Sequence, residues 1–249
     1  MKKTMKKPKI AILDGDIIAW KVAFVADIEG DLAIDSLLGG IINNWTPEDV
    51  TDIIVALSHK KNFRKEVYPA YKANRKGQDK PDSLGRVFET IEESYNCLTY
   101  PKLEADDILG IYASRGHAIS VSIDKDLKGV EGWLFNPDKD EEPRYISEEE
   151  AEKWFCIQWM SGDSTDGIPG MWRVGQKTAE KLLDSWEYAD WYENILEMYE
   201  EEKYKPKKSA DRLDNIAISM GQCVRILQDN NYDEDKKEIT TMWDPKVGL

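Results

Sequence analysis

Cysteine is scarce in this chain: Cys97, Cys156 and Cys223 are three residues in 249, far apart and odd in number. No CxxC or Cys/His spacing accompanies them, so the sequence suits a reducing cytosol and shows no zinc signature. Long apolar runs are missing as well. The opening "MKKTMKKPKIAIL" is basic but has only a short apolar stretch before Asp14. That is too short for a signal peptide, and no other segment is long enough to span a membrane. A cytoplasmic protein without a membrane partner is the expectation, with the first lysines read as a solvated tail. Positive charge is also in deficit, at a net −14, which at first argues against a nucleic-acid partner. No internal repeat is visible.

What is present is an ordinary globular balance, 41% hydrophobic and 33% charged, in a chain long enough to bury a real core. The charge is unevenly spread. From Lys60 to Lys80 the chain reads "KKNFRKEVYPAYKANRKGQDK", where eight basic residues face only Glu66 and Asp79. Short apolar runs, "KIAIL", "DIIVALS", "CLTY", "AISVSI" and "GWLF", read as buried strands. They alternate with the helical patterns "LGRVFETIEESY" and "ADDILGIYASR". The expectation is an α/β fold with a mostly parallel central sheet flanked by helices. After Pro143 the character changes. Ser147 and Glu150 have capping-box spacing, and the chain from there to about Gln228 reads as wholly helical. It includes the acidic "WYENILEMYEEEKY", a solvated face, and ends in a polar stretch expected to wrap the surface.

Several strands run into acids: Asp14-Gly15-Asp16, Asp124-Lys125-Asp126, and Glu104, Asp106 and Asp107 at a helix start. Each could be a cap or a turn on its own. In an open parallel sheet, however, the crevice at the carboxyl ends of the strands is the usual ligand site, and so many carboxylates in one crevice repel one another. Hard divalent cations resolve this. Magnesium prefers carboxylate oxygens, and two such ions about 4 Å apart support in-line phosphodiester cleavage. Asp163 and Asp166 in "GDSTDGIPG" would complete the cluster from a tight turn.

The stretches "AILDGDIIAW", "NFRKEVYPAYKANRK", "LEADDILGIYAS", "SIDKDL" and "GDSTDGIPGMWRVGQKTA" resemble, in order and spacing, the 5′-nuclease superfamily of flap endonucleases and 5′→3′ exonucleases. The short podovirus-type phage exonucleases are the most similar in size and ending. The resemblance covers nearly the whole chain and implies one domain over 1–249. It would have an α/β (PIN-like) catalytic core at 9–146 with a basic arch insertion at 60–84. A helical DNA-binding part with a helix–three-turn–helix would follow at 147–249. It implies metal ligands at Asp14, Glu104, Asp106, Asp107, Asp124, Asp126, Asp163 and Asp166. Lys72 and Arg75 become the catalytic cations over the scissile phosphate. DNA contacts are expected from Arg64, Lys65, Lys72, Arg75 and Lys76, and from Gly170, Gly175, Gln176, Lys177 and Thr178. The cofactors would be two magnesium ions or manganese, with potassium at the helix–three-turn–helix. The partner would be duplex DNA with a 5′ end or flap, extending to RNA–DNA hybrids. The protein would act as a monomer, in the host cytoplasm if it is of phage origin.

Two positions depart from the family pattern. Arg173 stands where the first glycine of a "GxGxK" turn is expected, and His59 where a metal-ligating aspartate is usual. A loop histidine and a metal-coordinating histidine are both open readings of His59. The second implies contact with the first metal site, activity in manganese at lower concentration than in magnesium, and a gain for His59→Asp. Phe63, Tyr68 and Tyr71 could stack on unpaired bases or pack within the arch. A catalytically silent DNA-structure binder is the alternative function, if His59 marks a degraded site. A toxin-type ribonuclease fits less well, because that type lacks the basic insertion and the helix–three-turn–helix.

Overall fold

The computed structural model describes residues 6–200 and 216–245. The tail at 1–5, where the first lysines were read as solvated, and the last residues of "WYENILEMYEEEKY" lie outside it. In chain order the first half comprises β1 (Ile10–Asp14), α1 (Gly15–Glu29), α2 (Ile34–Trp45), β2 (Asp52–Ala56), α3 (Arg64–Val67), α4 (Leu84–Ser94), β3 (Cys97–Leu98), α5 (Ala105–Ser114) and β4 (Ile119–Val121). Then follow β5 (Gly132–Phe135), β6 (Arg144–Ile146), α6 (Glu148–Ser161), β7 (Gly162–Asp163), β8 (Ile168–Pro169), α7 (Gln176–Asp184), α8 (Trp191–Glu200), α9 (Ile216–Val224), β9 (Tyr232–Asp233) and β10 (Glu238–Ile239).

Six strands form one sheet in the order β3-β2-β1-β4-β5-β6. Every pairing is parallel except that of β5 with β6. All five expected strands are present. The antiparallel edge strand β6 was not anticipated, since three residues of "RYI" carry no period to read. The period-2 pattern sorts the strand residues between two cores. Ala11, Leu13, Val55 and Val121 pack with Ile18, Leu38 and Ile91 of α1, α2 and α4. Ile12, Ala56 and Leu134 pack with Ile108 and Ile111 of α5 and with Leu227. Each fully buried Ile or Leu is worth about 1.5–3 kcal/mol, so these two layers fix the register.

At α6 the sequence signal is realised in full: Ser147 and Glu150 form the reciprocal capping box. The following region is not wholly helical, however. Between α6 and α7 lies the antiparallel hairpin of β7 and β8, because Gly162 (φ 68°) and Gly167 (φ 71°) turn the chain. A third core centres on Trp159, which is fully buried and donates its indole N–H to the Ala217 carbonyl at 2.7 Å. On α8 the acids Glu193 and Glu197 are exposed while Trp191 and Ile195 are buried, so the charged face is solvated as expected. The polar ending does more than wrap the surface. Its strands β9 and β10 pair, and Trp243 packs edge-on against Phe155 and Trp159 at 4.9 and 4.8 Å. Among the described residues no helix is long and apolar enough to cross a membrane.

Candidate active site

Chain order reverses at β1: β2 and β3 lie to one side of it, β4 and β5 to the other. A crevice at such a switch point, beyond the carboxyl ends of the strands, is the expected ligand site of an open parallel sheet. Here it is a cavity of about 440 Å³ lined by Asp14, Asp16, Glu104, Asp106, Asp124, Asp126, Asp163 and Asp166, with Lys21, Lys72, Arg75 and Lys125.

Each acid has a local reason for its place. Asp14 ends β1 and caps α1, accepting from the Ile17 amide at 3.1 Å and from the Ser122 hydroxyl at 2.8 Å. Gly15 must follow it, since a Cβ there would lie 2.7 Å from the Ala56 carbonyl oxygen and 2.5 Å from Val55. Asp16 accepts from the Ser58 amide at 3.1 Å, which ties the start of α1 to the end of β2. Asp124 caps the turn after β4 through the Asp126 amide at 2.9 Å, and Asp126 accepts from Gln158 of α6 at 2.7 Å. Asp163 closes the β7–β8 turn by accepting from the Thr165 amide at 2.7 Å. The tight turn thus puts Asp163 and Asp166 on the same crevice.

The segment read as a basic arch is strapped onto that turn. Asn74 donates to the Ser164 and Thr165 carbonyls, both at 3.1 Å, and the Lys72 amide donates to the Asp166 carbonyl at 2.7 Å. Lys72 adopts the left-handed conformation (φ 55°), an unfavourable state of order 1 kcal/mol or more for a non-glycine residue. Its side chain pairs with Glu104 and approaches Asp166 at 3.6 Å, while Arg75 pairs with Asp166.

Electrostatics divides the cluster. Burial, with Asp16 next, raises Asp14 to about 7 against the opposing Ser122 hydrogen bond. Burial and then Asp124 raise Asp126 to about 6, although Lys125 opposes. Burial, with Asp14 and Asp124, pushes Asp106 well above the usual carboxylate range, and burial raises Asp16. Glu104 behaves oppositely. Burial would raise it, but Arg64 and Lys72 outweigh that and hold it at about 2. The crevice therefore carries more carboxylate than its own cations neutralise. The donors lining the cavity are hard oxygens and include no thiol or imidazole, which is the set that suits magnesium or manganese. Among the described residues no three such side chains already meet as a formed ion site.

Not every expected residue reaches the crevice. His59 lies outside its lining, and its Nδ1 faces the Lys61 and Lys102 amides at 3.1 and 3.2 Å. The expected approach of His59 to the first metal site is not what the geometry provides, and the manganese preference argued from it loses its basis. Asp107 is fully buried beneath the crevice against Arg64, and Arg64 is itself 3% exposed. Arg64 therefore presents no free guanidinium to a DNA backbone. Phe63, Tyr68 and Tyr71 are buried, so packing rather than base stacking is their arrangement. Lys65 and Lys76 are exposed.

Gly175, Gln176, Lys177 and Thr178 are exposed at the start of α7, where no side chain caps the helix. Gly170 instead packs inward, a Cβ there falling 2.0 Å from the Ser161 carbonyl oxygen. Arg173 keeps the left-handed conformation (φ 61°) that a glycine would favour at its position. The sequence counts Asp16 among the crevice acids but not among the ligands, and it gives no role to Ser58, Ser122 or Lys125. Asp16 was visible in the "DGD" triplet, but the two serines carry no signal until the strands are side by side.

Comparison with known proteins agrees with this geometry. The family described as "5'-3' exonuclease, N-terminal resolvase-like domain" matches residues 9–132. The chain is 32% identical over 226 residues to the exonuclease of Escherichia phage T7, covering 78% of this chain and 74% of that protein. It is 30% identical over 224 residues to the exodeoxyribonuclease of Enterobacteria phage T3, with the same coverage. Among solved structures, the phage T5 5′-exonuclease with divalent zinc ions bound superposes with a TM-score of 0.55 at 17% identity. That match covers 85% of this chain and 83% of the other and speaks for the fold. The acid-lined crevice at the switch point, the matching family and the phage relatives lead to one assignment: the chain belongs to the 5′→3′ exonucleases of the 5′-nuclease superfamily.

Proposed function

We propose that the protein hydrolyses phosphodiester bonds of DNA from 5′ ends and at flaps, using divalent ions held by the crevice acids. The observation that carries this reading is the set of eight carboxylates around one cavity with Lys72 and Arg75 at its edge. Asp14, Glu104, Asp106, Asp124, Asp126, Asp163 and Asp166, with Asp16 beside them, are the residues that would hold magnesium or manganese. When bound, such ions lower the pKa of a coordinated water and neutralise charge on the leaving oxygen. Lys72 and Arg75, which pair with Glu104 and Asp166 at the edge of the crevice, would stabilise the developing charge on the scissile phosphate. The backbone amides of Gln176 and Lys177, first in α7 and without intrahelical partners, would grip the duplex backbone. Potassium beside that turn, action on RNA–DNA hybrids and a monomeric state belong to the same reading. So does the division into a core at 9–146 and a DNA-gripping part at 147–249. Affinity would come from phosphate contacts, giving weak sequence preference and strong salt dependence.

Duplexes labelled at the 5′ or the 3′ end, incubated with magnesium, with manganese or with chelator, test the proposal. Metal-dependent release of short 5′-labelled products is expected. Binding without cleavage in either metal would leave the silent DNA binder as the function.

A further inference from the structure

Asp107 follows Asp106 in the "EADD" motif and is the acid whose environment the proposed chemistry does not use. Its carboxylate is fully buried and every lone-pair direction is taken. Oδ1 accepts from Arg64 Nη2 at 2.7 Å and from the Leu227 amide at 3.1 Å. Oδ2 accepts from Arg64 Nη1 at 2.7 Å and from the Glu104 amide at 3.1 Å. A carboxylate with four donors in place has no electron pair left for an ion.

Arg64 is equally saturated. Beyond the bidentate pair with Asp107, its Nη1 reaches Glu104 Oε2 at 3.2 Å. Its Nη2 donates to the Arg225 carbonyl at 2.8 Å and its Nε to the Cys223 carbonyl at 2.9 Å. All five N–H donors of the guanidinium therefore have partners, which only the planar fork of arginine can arrange. These bonds join three stretches distant in the sequence: the base of the strap at α3, the first turn of α5, and the chain leaving α9. They converge on Glu104, whose Oε2 also accepts from the Tyr71 hydroxyl at 2.7 Å, and whose other oxygen holds Lys72.

We infer that Arg64 and Asp107 are a positioning pair that sets the orientation of Glu104, and through it Lys72, at the edge of the crevice, and that Asp107 is not a metal ligand. The inference rests on the nuclease reading above. Groups that orient the residues of a metal site commonly change activity by about 10–100-fold when altered.

The test compares wild type with Asp107→Asn, Arg64→Lys, the double variant, and Tyr71→Phe. The last removes the hydroxyl that meets Glu104 at 2.7 Å and Asp166 at 2.9 Å and leaves the ring packing in place. Calorimetric titration with manganese counts bound ions, and steady-state cleavage of a 5′-flap duplex well below each melting temperature gives kcat and KM. The expected result is wild-type ion stoichiometry and KM in all four variants. The rate constant kcat should fall about tenfold or more in Asp107→Asn, with a smaller fall in Arg64→Lys and in Tyr71→Phe. The double variant should be no worse than Asp107→Asn alone. Loss of one bound ion in Asp107→Asn, with stoichiometry retained in Arg64→Lys, would overturn the inference and make Asp107 a ligand. Unchanged kcat in Arg64→Lys and Tyr71→Phe would overturn it in favour of a purely stabilising pair. Failure of the nuclease reading is seen separately, as a wild-type protein that binds manganese without cleaving.

Discussion

Asp106 and Asp107 are neighbours of identical chemistry with opposite surroundings. Asp106 faces Asp14 and Asp124 across the crevice, while Asp107 lies behind it in the fork of Arg64. A one-residue step on a helix turns the side chain by about 100°, which suffices to separate the two roles. Asp124 and Asp163 are on the crevice side, so Asp124→Asn or Asp163→Asn should cut the cleavage rate on the order of a thousandfold, about 4 kcal/mol. Binding of the uncut duplex should stay level or tighten, because a negative charge near the phosphates is gone. Turnover retained in both variants would remove the ion-based mechanism. His59 illustrates the limit of motif alignment. With its ring facing the Lys61 and Lys102 amides, His59→Asp should leave the magnesium concentration for half-maximal rate unchanged. A fall in that concentration would bring position 59 back to the ions.

At the scale of elements, the link from α6 to α7 combines a hairpin, a left-handed arginine and an uncapped helix start. Arg173 in the left-handed region is disfavoured by about 1 kcal/mol relative to glycine, part of which glycine's freer unfolded chain would offset. Arg173→Gly should therefore raise stability by about 0.5 kcal/mol in a denaturant titration. A clear loss would mean that the Arg173 guanidinium, 5.7 Å from the Trp172 ring, contributes more than the backbone strain subtracts. At the head of α7, Lys177→Ala should weaken duplex binding alike across sequences and lower the salt slope by about one unit. A slope identical to wild type would place the duplex contact on another surface.

Across the whole molecule, the crevice acids link folding to pH. Asp14 near 7, Asp126 near 6, and the raised Asp16 and Asp106 all bind protons more tightly folded than unfolded. Their contribution is present below pH about 4 and is lost as pH rises through 6 and 7. Glu104, held near 2, works the other way: its contribution is present above its unfolded value and is lost only as pH falls toward 2. The ion-free protein should therefore melt at lower temperature at pH 8 than at pH 5. Magnesium should raise the melting temperature more at pH 8, where the acids are ionised and bind it. Thermal melts at the two pH values, with chelator and with magnesium, check this. An equal magnesium shift at both would mean that the acids do not hold the ion.

Sequence alone determined what depends on nearest neighbours. The five strands, the capping box at Ser147 and Glu150, and most of the acids at strand ends follow from short-range periodicity and turn chemistry, although β3 is only a half-buried two-residue edge strand and Asp107 lies outside the crevice. Tertiary structure decided which groups share a cavity. Asp16 meets Ser58, and Asp14 meets Ser122, only because β2 and β4 flank β1. The resemblance counts Arg64 among the DNA contacts, yet bonds to residues 40 to 161 positions away bury it. The terminal segment looked polar residue by residue, but Trp243 joins a core built from α6 and α8. Periodicity records which face of an element is apolar; which partner covers that face, and which charge meets which, is set by the packing of segments far apart in the chain.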